Sequence, residues 1–126
     1  MKIASLIARL LLGLIFLLFG LNGFHQFIPM PPPAGVAGQF LAAVVASPYW
    51  VVIFATQVIG GLLLLVGRFV PLALVILGPV IVNILSFHAF MAPAGLPFAA
   101  IVTALWIVVA IRNKQHLAGL FVAKSE

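Results

Sequence analysis

Cysteine is absent from the 126 residues, and a single carboxylate side chain, Glu126, stands against six Lys and Arg. The first absence excludes disulfides, thiolate metal sites and thiol redox chemistry. The second removes the usual parts of intramembrane proton relays and ion sites. Charged residues make up only 6% of the chain, several-fold fewer than a soluble domain of this size needs to stay dispersed in water. No Ser/His/Asp arrangement, phosphate-binding loop, dinucleotide fingerprint or H-E-x-x-H occurs, so no catalytic residue is identified. Apart from Glu126 and three weakly ligating methionines, only His25, His88 and His116 could ligate a metal, and no metal site is expected.

What the chain has is apolar length. Hydrophobic residues account for 66% of it, with a mean hydropathy of +1.40. That is far more than one soluble core can bury, and lipid is the solvent that matches it. The formal charge of +5 comes from basic residues scattered between apolar runs, which read as topology signals and exclude nucleic acid as a partner.

Four runs are long enough to span a hydrocarbon core of about 30 Å at about 1.5 Å per residue. They cover about residues 3–24, 50–67, 71–90 and 97–111, with a surface tail over 112–126. The first resembles a signal peptide in its basic start, but no A-x-A-like site follows, and it is expected to remain as a helix. Between the first two runs, Pro29, Met30, Pro31, Pro32 and Pro33 end the helix and favour extended chain. The apolar stretch Ala34 to Ala46 is too short to span and reads as an interfacial or re-entrant helix. Only Arg68, Phe69 and Val70 separate the second and third spans, which therefore form an antiparallel hairpin. Pro79 lies within the third span and is expected to kink it by freeing a carbonyl near Val75. In the tail, Leu117, Leu120 and Phe121 recur at helical spacing and read as a surface-lying segment.

The expected architecture is an all-α, polytopic four-helix membrane bundle of one domain, with a short extracytoplasmic helix between the first two spans. Lys2, Arg9, Arg68, Arg112, Lys114 and Lys124 then all fall on one side. The positive-inside rule makes that side the cytoplasm and places both termini there. Arg9, about two turns into its span with no carboxylate to meet, reads as a side chain that snorkels to phosphate.

Uncharged polar residues collect at the opposite depth. Asn22 and His25 close the first span, Asn83, Ser86 and His88 close the third, and Gln57 lies about two turns into the second. Polar groups facing lipid there are costly, so they are expected to face one another. Three readings stay open: interhelical hydrogen bonding by Asn22, Gln57 and Asn83; a small outward-facing pocket for a quinone headgroup or another amphipathic ligand, lined by Asn22, His25, Gln57, Asn83 and His88; and a bis-histidine haem on His25 and His88. Gly13 and Gly20 lie a heptad apart, as do Gly60 and Gly67, and each pair reads as a face for close helix packing, with Gly61 beside it.

Residues 9–24, RLLLGLIFLLFGLNGF, and 57–69, QVIGGLLLLVGRF, resemble the DoxX family of small four-helix bacterial and archaeal membrane proteins. Arg9, Gly13, Phe16 and Gly20 carry the likeness in the first block, and Gly60, Gly61, Leu64 and Gly67 in the second. The resemblance implies a cytoplasmic-membrane subunit or assembly factor of a quinone-linked redox complex, whose partners are the bilayer and other membrane proteins or further copies of itself. It also implies an acidic residue just before the paired glycines and a lysine near the end of the first helix. This chain has Gln57 at the first place and Gly23 or Phe24 at the second, which favours a neutral packing or binding role. An oxidoreductase component that itself carries quinone or haem, and a small transporter or channel, are the alternative readings.

Overall fold

The computed structural model describes residues 2–124, and all regular structure among them is helical. Four long apolar helices have the length and composition of membrane spans: α1 (Lys2–Phe24), α3 (Tyr49–Val66), α4 (Val70–Phe90) and α5 (Leu96–Arg112), the last together with the turn before it, as Pro93–Arg112. The shorter α2 (Gly35–Ala46) lies between α1 and α3, after the extended proline-rich segment. A single 3-10 turn, Pro93–Gly95, leads into α5. The tail forms α6 (Lys114–Leu117) and a 3-10 turn, Ala118–Phe121. Leu117 packs back against the bundle, whereas Leu120 and Phe121 are exposed. Ser125 and Glu126, the end of the expected surface tail, lie outside the described residues.

The bundle is a square. α1 packs on α3 and α5, α4 packs on the same two, and the pairs α1/α4 and α3/α5 stand on the diagonals. Leu12 and Phe16 of α1, Leu64 of α3, Leu74 and Leu77 of α4, and Val102 and Val109 of α5 fill the centre and are fully buried. Ile7, Leu11, Val52, Ile59, Leu62, Val82 and Ile101 point outward and are exposed. In water so large an apolar exterior would drive aggregation; in a bilayer it is the lipid-facing surface. Thr56 and Thr103 bond back to the carbonyls of Ile53 (2.7 Å) and Ala99 (2.8 Å), satisfying their hydroxyls within their own helices.

Glycines set the closest approach, between α1 and α3. A Cβ on Gly61 would stand 2.6 Å from the backbone nitrogen of Leu17 and 2.8 Å from the carbonyl oxygen of Gly13. One on Gly13 would meet the carbonyl oxygen of Gly61 at 2.9 Å, and one on Gly20 the backbone nitrogen of Val58 at 2.9 Å. These contacts are backbone to backbone, the arrangement through which small residues bring membrane helices together without a hydrophobic driving force.

The second glycine pair behaves differently from its spacing. Gly60 faces α4, where a Cβ would press on the Leu77 side chain, while Gly61 faces α1. Gly67 ends α3 with φ +77° and adjoins the Arg9 guanidinium. Gly60 and Gly67 thus do not share a packing face, because the helix has ended at Val66 and heptad spacing no longer applies beyond it. Gly67 and Phe69, both in the left-handed region, reverse the chain into α4 within three residues.

Arg9, expected to snorkel to phosphate, also makes a contact inside the bundle. Its Nη1 donates to the backbone carbonyl of Leu64. The amides of Gly67 and Arg68 both turn to Leu63, at 2.9 and 3.3 Å. The Leu64 carbonyl is one of the acceptors that every helix leaves without a partner in its last turn, and a cation at that end also suits the helix dipole.

α4 continues through Pro79, whose ring lies on the exposed side. One turn earlier the Trp106 indole of α5 donates to the Leu74 carbonyl at 3.1 Å, a hydrogen bond between helices that ties α4 to α5.

Candidate functional site

The end of the bundle away from the cations encloses a cavity of about 860 Å³ to which all four long helices contribute. α1 supplies Phe16, Phe19, Asn22 and Phe24; α3 supplies Trp50, Phe54 and Gln57; α4 supplies Ile84 and His88; and α5 supplies Phe98 and Val102. Gln26, which is exposed, and Met30 of the segment after α1 and Val45 of α2 add to the wall. Two aromatic groups line it. Trp50 lies between Phe24 and Phe54, with ring centroids at 5.5 and 6.5 Å, and Phe19 meets Phe98 edge-on at 5.7 Å. Gly23 makes room for the first group, since a Cβ there would stand 2.2 Å from the Phe54 ring.

The polar groups on this wall are in different states. Asn22 is buried and fully engaged: its Oδ1 accepts from the amides of Phe27 (2.9 Å) and Ile28 (2.7 Å), and its Nδ2 donates to the Ile28 carbonyl (3.2 Å). It latches the chain leaving α1 and reaches no other helix. His88 is half-buried, with Nδ1 2.8 Å from the Ile84 carbonyl. A carbonyl only accepts, so Nδ1 carries the proton in the neutral ring and Nε2 is the acceptor. Gly95 sits against that edge, where a Cβ would come within 2.4 Å of Nε2.

Gln57 is the exception. It is only 7% exposed and makes no hydrogen bond to any described residue. Every fully enclosed side-chain nitrogen or oxygen among the described residues has a partner. The Gln57 amide therefore opens into the cavity. Its Cβ packs against Gly20, so the small residue of α1 lets the long amide stand inside the bundle.

Of the five polar residues expected to line an outward-facing pocket, the structure brings Asn22, Gln57 and His88 to the cavity. Asn83 is exposed and donates to the carbonyl of Pro79, one turn back on its own helix, at 3.0 Å. Its amide is satisfied without crossing to a neighbour, which is how it tolerates the lipid-facing side. His25 is exposed and does not line the cavity, so the two imidazoles that a bis-histidine haem requires are not assembled there. No group of three or more potential metal ligands occurs among the described residues. The aromatic lining was not legible beforehand: Phe16, Phe19, Phe54 and Phe98 look like any apolar residue of a span until the helices are placed.

No curated protein and no solved structure matches the chain. The DoxX family model matches residues 4–89, from the first turn of α1 almost to the end of α4 and so through both glycine blocks and most of the cavity wall. With more than half of its length matched, the chain belongs to the DoxX family.

Proposed function

We propose that this protein is a non-catalytic membrane subunit or assembly factor that holds a flat amphipathic ligand, of which a quinone headgroup is the type, in the aromatic cavity at the far end of the bundle. The observation that carries the reading is the unpartnered, buried amide of Gln57. A ligand carbonyl in the cavity can accept from its Nε2, and a ligand hydroxyl can donate to its Oε1. The Nε2 of His88 adds an acceptor for a ligand hydroxyl, while Phe54, Trp50, Phe19 and Phe98 offer ring faces and edges to an aromatic ring. Apolar walls with a few placed polar groups are the usual form of a small-molecule site, and 860 Å³ lies within its usual range of about 300–1,000 Å³.

Trp50 lies in this cavity and Trp106 does not, so the site carries its own fluorophore. A short-chain benzoquinone should quench Trp50 saturably in the detergent-solubilised protein, and Trp50→Phe should remove the effect. Gln57→Leu should weaken binding about tenfold, the worth of one good hydrogen bond. Because Gln57 has no protein partner to lose, the same change should cost the fold about 1 kcal/mol or less. Equal affinity in the wild type and Gln57→Leu would exclude the site.

The second part of the reading concerns orientation. Lys2, Arg9, Arg68, Arg112 and Lys114 lie at one end of the bundle, which supports cytoplasmic termini. A reporter fused after Glu126 should be active only in the cytoplasm, and one inserted near Pro32 only outside. Activity of both on the same side contradicts the topology.

A further inference from the structure

We propose that a second recess, at the cationic end of the bundle, binds a phosphate group, with the headgroup of an anionic phospholipid as its source. The recess has a volume of about 420 Å³ and is lined by Lys2, Ser5, Arg9, Arg112 and Asn113 between the apolar side chains of Ile3, Leu6, Val70 and Val109. Three cations from α1 and α5 thus meet in one hollow, and no acidic residue occurs among the described residues to neutralise them. The Ser5 hydroxyl donates to the Lys2 carbonyl at 3.0 Å, and Asn113 spends one amide hydrogen on the Val109 carbonyl at 2.9 Å. What remains open is donor capacity. The Arg9 guanidinium is held through Nη1 by the Leu64 carbonyl, which fixes its plane, and its other N–H groups have no acceptor among the described residues. The first-turn amides of α1, which have no helical acceptor, lie at the same end.

Fixed guanidinium donors beside mobile Lys and Arg cations are the chemistry that recognises phosphate oxygens. The apolar rim decides the source. Ile3 and Leu6 are 74% and 46% exposed, so the wall is continuous with the lipid-facing side of α1. A ligand here has an anionic head against the cations and hydrocarbon against these side chains, which describes a phospholipid better than a free ion.

The test uses the full chain purified in a mild detergent, with phosphatidylglycerol, phosphatidylcholine and inorganic phosphate as probes. Native mass spectrometry in an equal mixture of the two lipids should show the wild type retaining phosphatidylglycerol preferentially, and that lipid alone should raise the melting temperature. Stabilisation by inorganic phosphate in phosphatidylcholine to the same extent would assign the recess to free phosphate and uphold the chemistry. Lys2→Gln combined with Arg112→Gln should reduce the lipid preference by more than about tenfold, since each cation near an anionic surface is worth about fivefold. Both side chains are exposed, so this variant retains the buried core. Lys114→Gln combined with Lys124→Gln removes the same charge outside the recess and should leave the preference intact. Equal retention of the two lipids with no response to phosphate overturns the proposal, and so does an equal loss in the two double variants.

Discussion

Gly61→Ala is expected to lower the stability of the bundle by about 1–3 kcal/mol, and Gly61→Val by more, as read by SDS titration of the protein in mixed micelles. The added Cβ would lie between the Leu17 nitrogen and the Gly13 carbonyl oxygen, at 2.6 and 2.8 Å. Neither is the movable tip of a side chain, so α1 and α3 must separate along their whole crossing. Separation would also withdraw Gly20 from Gln57 and open the cavity wall. The comparison that isolates this effect is Gly78→Ala on α4, where the nearest atom, on the Trp106 ring, would be 3.8 Å away. An added methyl meets ordinary contact there, and Ala is the better helix former, so no loss is expected. Equal losses at Gly61 and Gly78 would mean that glycine matters here for backbone flexibility and that the close crossing is not what holds α1 to α3.

Arg9→Leu is expected to cost about 2 kcal/mol, because it strands the Leu64 carbonyl at the end of α3 without an acceptor's partner. Arg9→Lys separates this role from snorkelling. If the side chain served only to carry charge to the lipid phosphates, Lys would replace it without loss. A guanidinium that crosses to a particular carbonyl is not so replaceable, since the ammonium lacks its fixed planar fork. Arg9→Lys should therefore fall between the wild type and Arg9→Leu in the same titration. Gly67→Ala should damage the same joint from the other side, through a left-handed φ of +77° and a Cβ 2.7 Å from Arg9 Nη1. A wild-type stability for Arg9→Lys would return Arg9 to the snorkelling role.

The two glycine blocks and Arg9 thus form one mechanical unit. Gly13 and Gly20 admit α3 to α1, Gly61 admits α1 to α3, Gly60 admits α4, and Gly67 closes α3 over Arg9. The same positions lie within the stretch that the DoxX family model matches. Gln57 and Gly23 lie at the other end of this unit. A neutral amide stands in the cavity, and the space beside Gly23 is taken by the Phe54 ring.

The sequence by itself determined the solvent, the number of spans and their ends. The apolar runs 3–24, 50–67, 71–90 and 97–111 correspond within one or two residues to α1, α3, α4 and α5, and the stretch 34–46 to α2. This follows because a bilayer imposes one length and one composition on whatever crosses it, and both are local properties of the chain. The gathering of the basic residues at one end followed from the same count. Depth was legible too, which is why Asn22, Gln57 and His88 were found together.

What a linear reading could not supply was direction around each helix axis. Asn83 has the same depth as the others yet faces outward, and His25 lies just past the end of α1 and is exposed. A helix hydrophobic on every side carries almost no periodic signal of which face is buried, since lipid and core are equally apolar. Only the packing of the four helices decided that Gly60 and Gly61 serve different neighbours, that Arg9 ends α3, and that one buried glutamine is left facing an aromatic cavity, because each depends on where two distant backbones come within a few ångströms of each other.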